Sequence, residues 1–137
     1  MTNWTMKTMT AGFIAAVLLT PLAARAVTLS AYEQADSDPA KQTQIFKDAY
    51  TTAIGRTLAG LRDEKFTDGK QKTPQRIVRD RKLADIVDGM VAHLTKDQSE
   101  SLTVMIDQYA QAQPTTELED VIESFLLTEA KKKMASG

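Results

Sequence analysis

Ile45-Phe46-Lys47-Asp48-Ala49-Tyr50-Thr51-Thr52-Ala53-Ile54-Gly55-Arg56-Thr57-Leu58-Ala59-Gly60-Leu61 decides the fold, because its apolar side chains recur at steps of three and four. Ile45, Phe46, Ala49, Tyr50, Ala53, Ile54, Leu58 and Leu61 then share one face of an amphipathic helix. Just upstream, Asp38-Pro39 supplies a start: the carboxylate caps free amides, and proline suits the first helical position because it has no N–H to satisfy. Gly55 and Gly60 each cost about 1 kcal/mol against alanine inside a helix. Close approach of a neighbouring helix is the expected compensation at Gly60, which adjoins Ala59 near the apolar face.

Working outward toward the C-terminus, the same grammar repeats. Residues 65–73 (KFTDGKQKT) form a loop with Asp68-Gly69 as its turn. Thr73-Pro74 opens a second helix expected to reach about Leu94, with Ile77, Leu83, Ile86, Val87, Met90, Val91 and Leu94 inward; its polar opening leaves a separate short helix at 74–81 as an alternative. Thr95-Lys96-Asp97-Gln98 has the form of a capping box and starts a third helix carrying Leu102, Met105, Ile106 and Tyr109, which Pro114 stops. Thr116 to Glu119 is a second capping box. The last helix carries Leu118, Val121, Ile122, Phe125, Leu126 and Ala130, with Met134 at its far end. Lys131, Lys132 and Lys133 complement its negative pole. No useful length of apolar alternation at period two occurs, so no strand is expected. The fold class is all-α, a small four-helix bundle-like domain.

Toward the N-terminus the pattern changes. Lys7, the apolar run from Ala11 to Leu19, the break at Thr20-Pro21 and the small residues of Ala24-Arg25-Ala26 follow the order of a cleavable secretory signal. The run is shorter than the roughly 20 apolar residues a spanning helix needs. Translation from Met6 would give a tighter start. Cleavage near Ala26 is expected, with the remainder periplasmic or secreted and without a transmembrane segment. Residues 27–37 (VTLSAYEQADS) are polar and aperiodic and read as a loosely held, flexible arm, with Leu29 and Tyr32 as candidates to dock. The helical domain is then 38–137.

The sequence excludes more chemistry than it offers. With no cysteine, thiol catalysis, thiolate metal sites and disulfides are absent. The single histidine, His93, has only Asp85, Asp88 and Asp97 near it in sequence, too few converging ligands for a metal. No serine sits in a Gly-x-Ser-x-Gly context, and no glycine-rich phosphate loop occurs. Glu117, Glu119, Asp120 and Glu123 crowd the start of the last helix, where carboxylates are favoured electrostatically without any acid–base role. No cofactor, no metal and no enzymatic activity are expected.

Charge is the informative feature. From Arg62 to Lys82 there are eight basic residues (Arg62, Lys65, Lys70, Lys72, Arg76, Arg79, Arg81, Lys82) against four acids, a net of +4. From Asp97 to Glu129 there are eight acids and no Lys or Arg, a net of −8. Arg76 with Asp80, and Arg81 with Asp85, stand at helical ion-pair spacing. Either the two halves face each other or are solvated, or they form a steering surface for a charged protein partner. Lys65, Lys70, Lys72, Arg76, Arg79, Glu117, Asp120 and Glu123 are the candidate partner-binding residues. Aromatic interleaving is limited to Phe66 and the chain is mildly acidic, which argues against nucleic acid.

From Tyr50 onward the layout resembles periplasmic immunity proteins that neutralise type VI secretion amidases, the Rap/Tai type. The similar pieces are Tyr50 to Gly60, Val104-Met105-Ile106-Asp107-Gln108-Tyr109 followed by Gln113-Pro114, and Leu118 to Ala130. Cysteines are usual in that family and absent here. The resemblance implies an exported helical protein that binds a partner enzyme rather than catalysing. A second likeness, to acid-stress chaperones of the HdeA/HdeB type, implies a chain that loosens when its carboxylates lose charge. A small-molecule-binding periplasmic helical protein is a further alternative, and a second copy of the chain is among the candidate partners.

Overall fold

The computed structural model describes residues 27–90 and 94–136. The signal and cleavage site expected at 1–26, and the expectations for Val91 and His93, lie outside the described residues. Among the described residues five α-helices occur in this order: α1 (Leu29–Gln34), α2 (Pro39–Arg62), α3 (Pro74–Gly89), α4 (Lys96–Ala112) and α5 (Leu118–Ser136), with a 3-10 turn at Ala35–Ser37 between the first two. The fold is all-α, and no strand occurs among the described residues; their only β-type pairing is two isolated bridges.

Each expected helix start on α2, α3 and α4 is made by the capping side chain. Asp38 accepts from the Lys41 amide at 3.2 Å, and Thr73 from the Arg76 amide at 3.2 Å. At Thr95 both halves of the capping box are present: its hydroxyl accepts from Gln98 N, and Gln98 Oε1 accepts from Thr95 N. These bonds satisfy amides that have no partner inside the helix.

The second capping box does not form. The Thr116 amide donates to the Gln113 carbonyl, its hydroxyl meets the Gln113 side chain, and the helix begins at Leu118. Glu119 instead reaches the Val27 amide at 3.4 Å. The reason lies at the N-terminal end, where the expected loose arm is helical and tied down. Leu29 N donates to Thr116 O, Ser30 N to Pro114 O, and Leu118 N to Val27 O. Leu29 is fully buried, so its apolar burial and the ordering of this segment come together.

α3 ends earlier than the sequence pattern indicates, at Gly89, with Met90 as a buried cap. It is one continuous helix, not a short helix followed by another. α5 is the central element: Leu118, Val121, Ile122, Phe125 and Leu126 join Leu29, Ala49, Ala53, Ile54, Met90, Leu102 and Ile106 in the main core. Further along α5, Ala130 packs with Leu83 and Val87 of α3, and Met134 lies against that group. The helix–helix contact expected at Gly60 is not there; a Cβ at Gly60 or Gly55 would meet nothing within 4 Å.

Candidate functional site

The chain from Asp63 to Thr73 folds as a miniature hairpin rather than an open loop. Gly69 N donates to Phe66 O and Phe66 N to Lys70 O, with Lys65 bridging Gln71. Gly69 adopts φ +87°, a conformation that favours glycine, and Asp68 Oδ1 accepts from Lys70 N. This turn holds Phe66 at the surface, 38% exposed. The guanidinium of Arg76 lies 5.2 Å and the ammonium of Lys72 5.8 Å from its ring centre, both within cation–π range.

Beneath the hairpin sits a buried ionic cluster. Lys72 Nζ is 2.9 Å from Asp80 Oδ2 and donates to the Gly60 carbonyl at 2.9 Å. Arg76 Nε donates to both Asp80 oxygens at 3.0 Å. Burial pushes the Asp80 carboxyl up, but hydrogen bonds and charge from Lys72 and Arg76 outweigh it and hold the group below its ordinary value. Lys72 therefore cannot meet a partner as the sequence pattern implied, because its ammonium is buried in an intramolecular pair.

The remaining candidates separate. Lys65, Lys70 and Arg79 are exposed and form no ion pair among the described residues. Asp120 and Glu123 of α5 both meet Arg56 of α2, Asp120 at 2.7 Å. Glu123 is half-buried, and burial, with Asp120 and Glu119 nearby, raises its carboxyl despite Arg56. Glu117 lies apart, bridged to Thr28. The Arg76–Asp80 pair is present, whereas Arg81 turns to Glu64 at 3.2 Å instead of Asp85.

None of these ion pairs joins the basic stretch 62–82 to the acids of 97–129. Arg62 meets Asp88, Arg81 meets Glu64, and Lys72 and Arg76 meet Asp80. The two charged regions do not neutralise each other by direct pairing. Arg56, absent from the sequence-derived candidates, is the cation that meets Asp120 and Glu123, while Lys132 pairs with Glu129 on the same helix; the place of Arg56 opposite Asp120 is 64 residues distant in sequence and has no local signature.

Two concavities flank this region. One, about 450 Å³, lies among α2, the hairpin, α3 and α5, and its walls include Arg56, Thr57, Phe66, Arg76, Asp80 and Glu123. The other, about 570 Å³, is a shallow groove lined by Pro74, Gln75, Val78, Arg79, Lys82 and Met134. Its lining holds two cations and no carboxylate, and Val78 is 52% exposed. Among the described residues no group of His, Cys, Asp or Glu is arranged to hold a metal ion, and no helix is long and apolar enough to cross a membrane. No family model matches the chain, and neither a curated protein nor a solved structure is similar to it.

Proposed function

We propose that this is an exported helical protein that acts by binding a partner protein, in the manner of an inhibitor or immunity protein of a cell-wall-targeting effector. The observation that carries this reading is the groove between α3 and the end of α5. It offers exposed Val78 and partly buried Met134 as an apolar floor, edged by Arg79 and Lys82 with no acid in its lining. Apolar anchors inside a charged rim are the usual composition of a recognition patch. The complement is a partner segment with an apolar side chain flanked by carboxylates. Export rests on the signal-like order of residues 1–26.

The test is an affinity pull-down with the chain as bait, at low and moderate salt, beside Arg79→Glu/Lys82→Glu. A single stoichiometric partner with an acidic surface, lost on charge reversal and weakened by salt, supports the reading. Capture that is unchanged by the double substitution, or no capture by either form, overturns it.

The Lys72–Asp80 cluster favours a second reading, the acid-stress chaperone. Protonating Asp80 would leave the Lys72 ammonium buried with one carbonyl for company. Because Asp80 is held low, this loosening belongs to strong acid, and client protection confined to about pH 3 and below would shift the assignment.

A further inference from the structure

We propose that the cleft among α2, the hairpin, α3 and α5 binds a small dipolar ligand, an amino acid or short peptide with free termini. Its ammonium would lie at Glu123 and Thr57, and its carboxylate at Arg76 and Lys65. The inference does not depend on the partner-binding groove, which has a separate set of lining residues.

The first support is an unmet hydrogen bond. Thr57 is 5% exposed, it lies in the wall of the cleft, and its Oγ1 has no hydrogen-bond partner among the described residues. A buried hydroxyl without a partner carries a desolvation cost that a ligand's N–H or O–H removes. The lining of the same cleft holds Glu123, which shares Arg56 with Asp120. Two carboxylates on one guanidinium leave an excess of negative charge that a ligand ammonium offsets. Burial first, and then the charge of Asp120 and Glu119, raises the proton affinity of Glu123 against the pull of Arg56.

The second support is an oriented guanidinium. Arg76 spends its Nε on Asp80 and rests against the Phe66 ring, which fixes its plane. Its Nη groups donate no hydrogen bond among the described residues. A guanidinium held in this way is prepared for a carboxylate in fork geometry. Lys65, also in the cleft wall and unpaired, adds a second cation. Leu61, Leu127 and Phe66 supply apolar wall between the charged ends. A volume of about 450 Å³ falls within the range of small-ligand pockets, about 300–1,000 Å³.

Calorimetric titration of the purified chain with leucine and with the dipeptide Ala-Leu tests this, together with N-acetyl-Ala-Leu and Ala-Leu amide. Binding of at least one unblocked compound is expected, with blocking of either terminus weakening Ala-Leu about ten- to hundredfold. Glu123→Gln should lose most of the discrimination against the acetylated form, and Lys65→Gln part of that against the amide. Thr57→Val keeps the side-chain shape and removes the unmet hydroxyl, so it should weaken binding while leaving the helical spectrum and urea midpoint intact or improved. No binding of either unblocked compound at millimolar concentration overturns the proposal. So does equal affinity for free and blocked peptides in the folded wild-type chain.

Discussion

Asp80→Ala should be among the most damaging single substitutions in this protein, although Asp80 is neither apolar nor part of the main core. Its side chain is 3% exposed, as is that of Lys72, and they are 2.9 Å apart. Removing the carboxylate leaves the ammonium out of water with only the Gly60 carbonyl as acceptor. It also deprives Arg76 of its two-oxygen anchor. Breaking a buried pair from one side costs about 3–5 kcal/mol, because the orphaned charge keeps its desolvation penalty. Lys72→Met is the instructive contrast. Asp80 would retain Arg76 Nε, so the loss should fall nearer the 1.5–3 kcal/mol, approximately, of one hydrogen bond to a charged group. Urea denaturation followed by helical ellipticity measures both. With a slope of about 1–3 kcal/mol per molar urea, Asp80→Ala should lower the midpoint by about 1 M or more. A cost for Asp80→Ala below about 1 kcal/mol, or equal to that of Lys72→Met, would mean that water reaches the pair and that the hairpin does not seal it.

Three further outcomes follow from the same geometry. Asp80 titrates below its ordinary value, so its stabilising contribution is present above about pH 4 and is lost as pH falls through its lowered folded value; Glu123, raised in the fold, opposes folding near neutrality and ceases to as pH falls through its own value. Urea midpoints from neutral pH downward should therefore lose their mild-acid gain in Glu123→Gln and their strong-acid loss in Asp80→Ala; unchanged pH profiles would contradict both assignments. Leu126→Ala, at a fully buried position of α5, should cost about 2–5 kcal/mol, while Val104→Ala, half exposed, should stay within about 0.5 kcal/mol. Gly55→Ala should stabilise by roughly 0.5–1 kcal/mol, since its Cβ enters open space inside a long helix; destabilisation would reveal a neighbour that the structure does not place there.

The main helices were legible in the sequence because their causes are local. Asp38, Thr73 and Thr95 each cap amides within four residues, and the apolar steps from Ile45 to Leu61 follow the helical repeat. The Asp68-Gly69 turn is local in the same sense. Helix α1 was not legible, because its order comes from Pro114, Thr116 and Leu118, more than 80 residues downstream. The same distant pairing displaced the expected capping box at Thr116. Gly60 misled because a glycine in a helix has the same sequence appearance whether a neighbour approaches it or open space surrounds it.

The candidate site divides along the same line. The sequence by itself determined that the chain is helical and cysteine-free, and that its charge is segregated, since composition and short-range periodicity do not depend on how helices pack. It also determined the Arg76–Asp80 pair, one helical turn apart. Only the tertiary structure decided that Lys72 is buried rather than presented, that Arg56 is the cation facing Asp120 and Glu123, and that Thr57 stands in a cleft wall with no hydrogen-bond partner for its hydroxyl among the described residues. Each of these depends on which helix faces lie opposite one another, and helix packing brings those faces together through apolar surface that does not record which polar side chains will meet beside it.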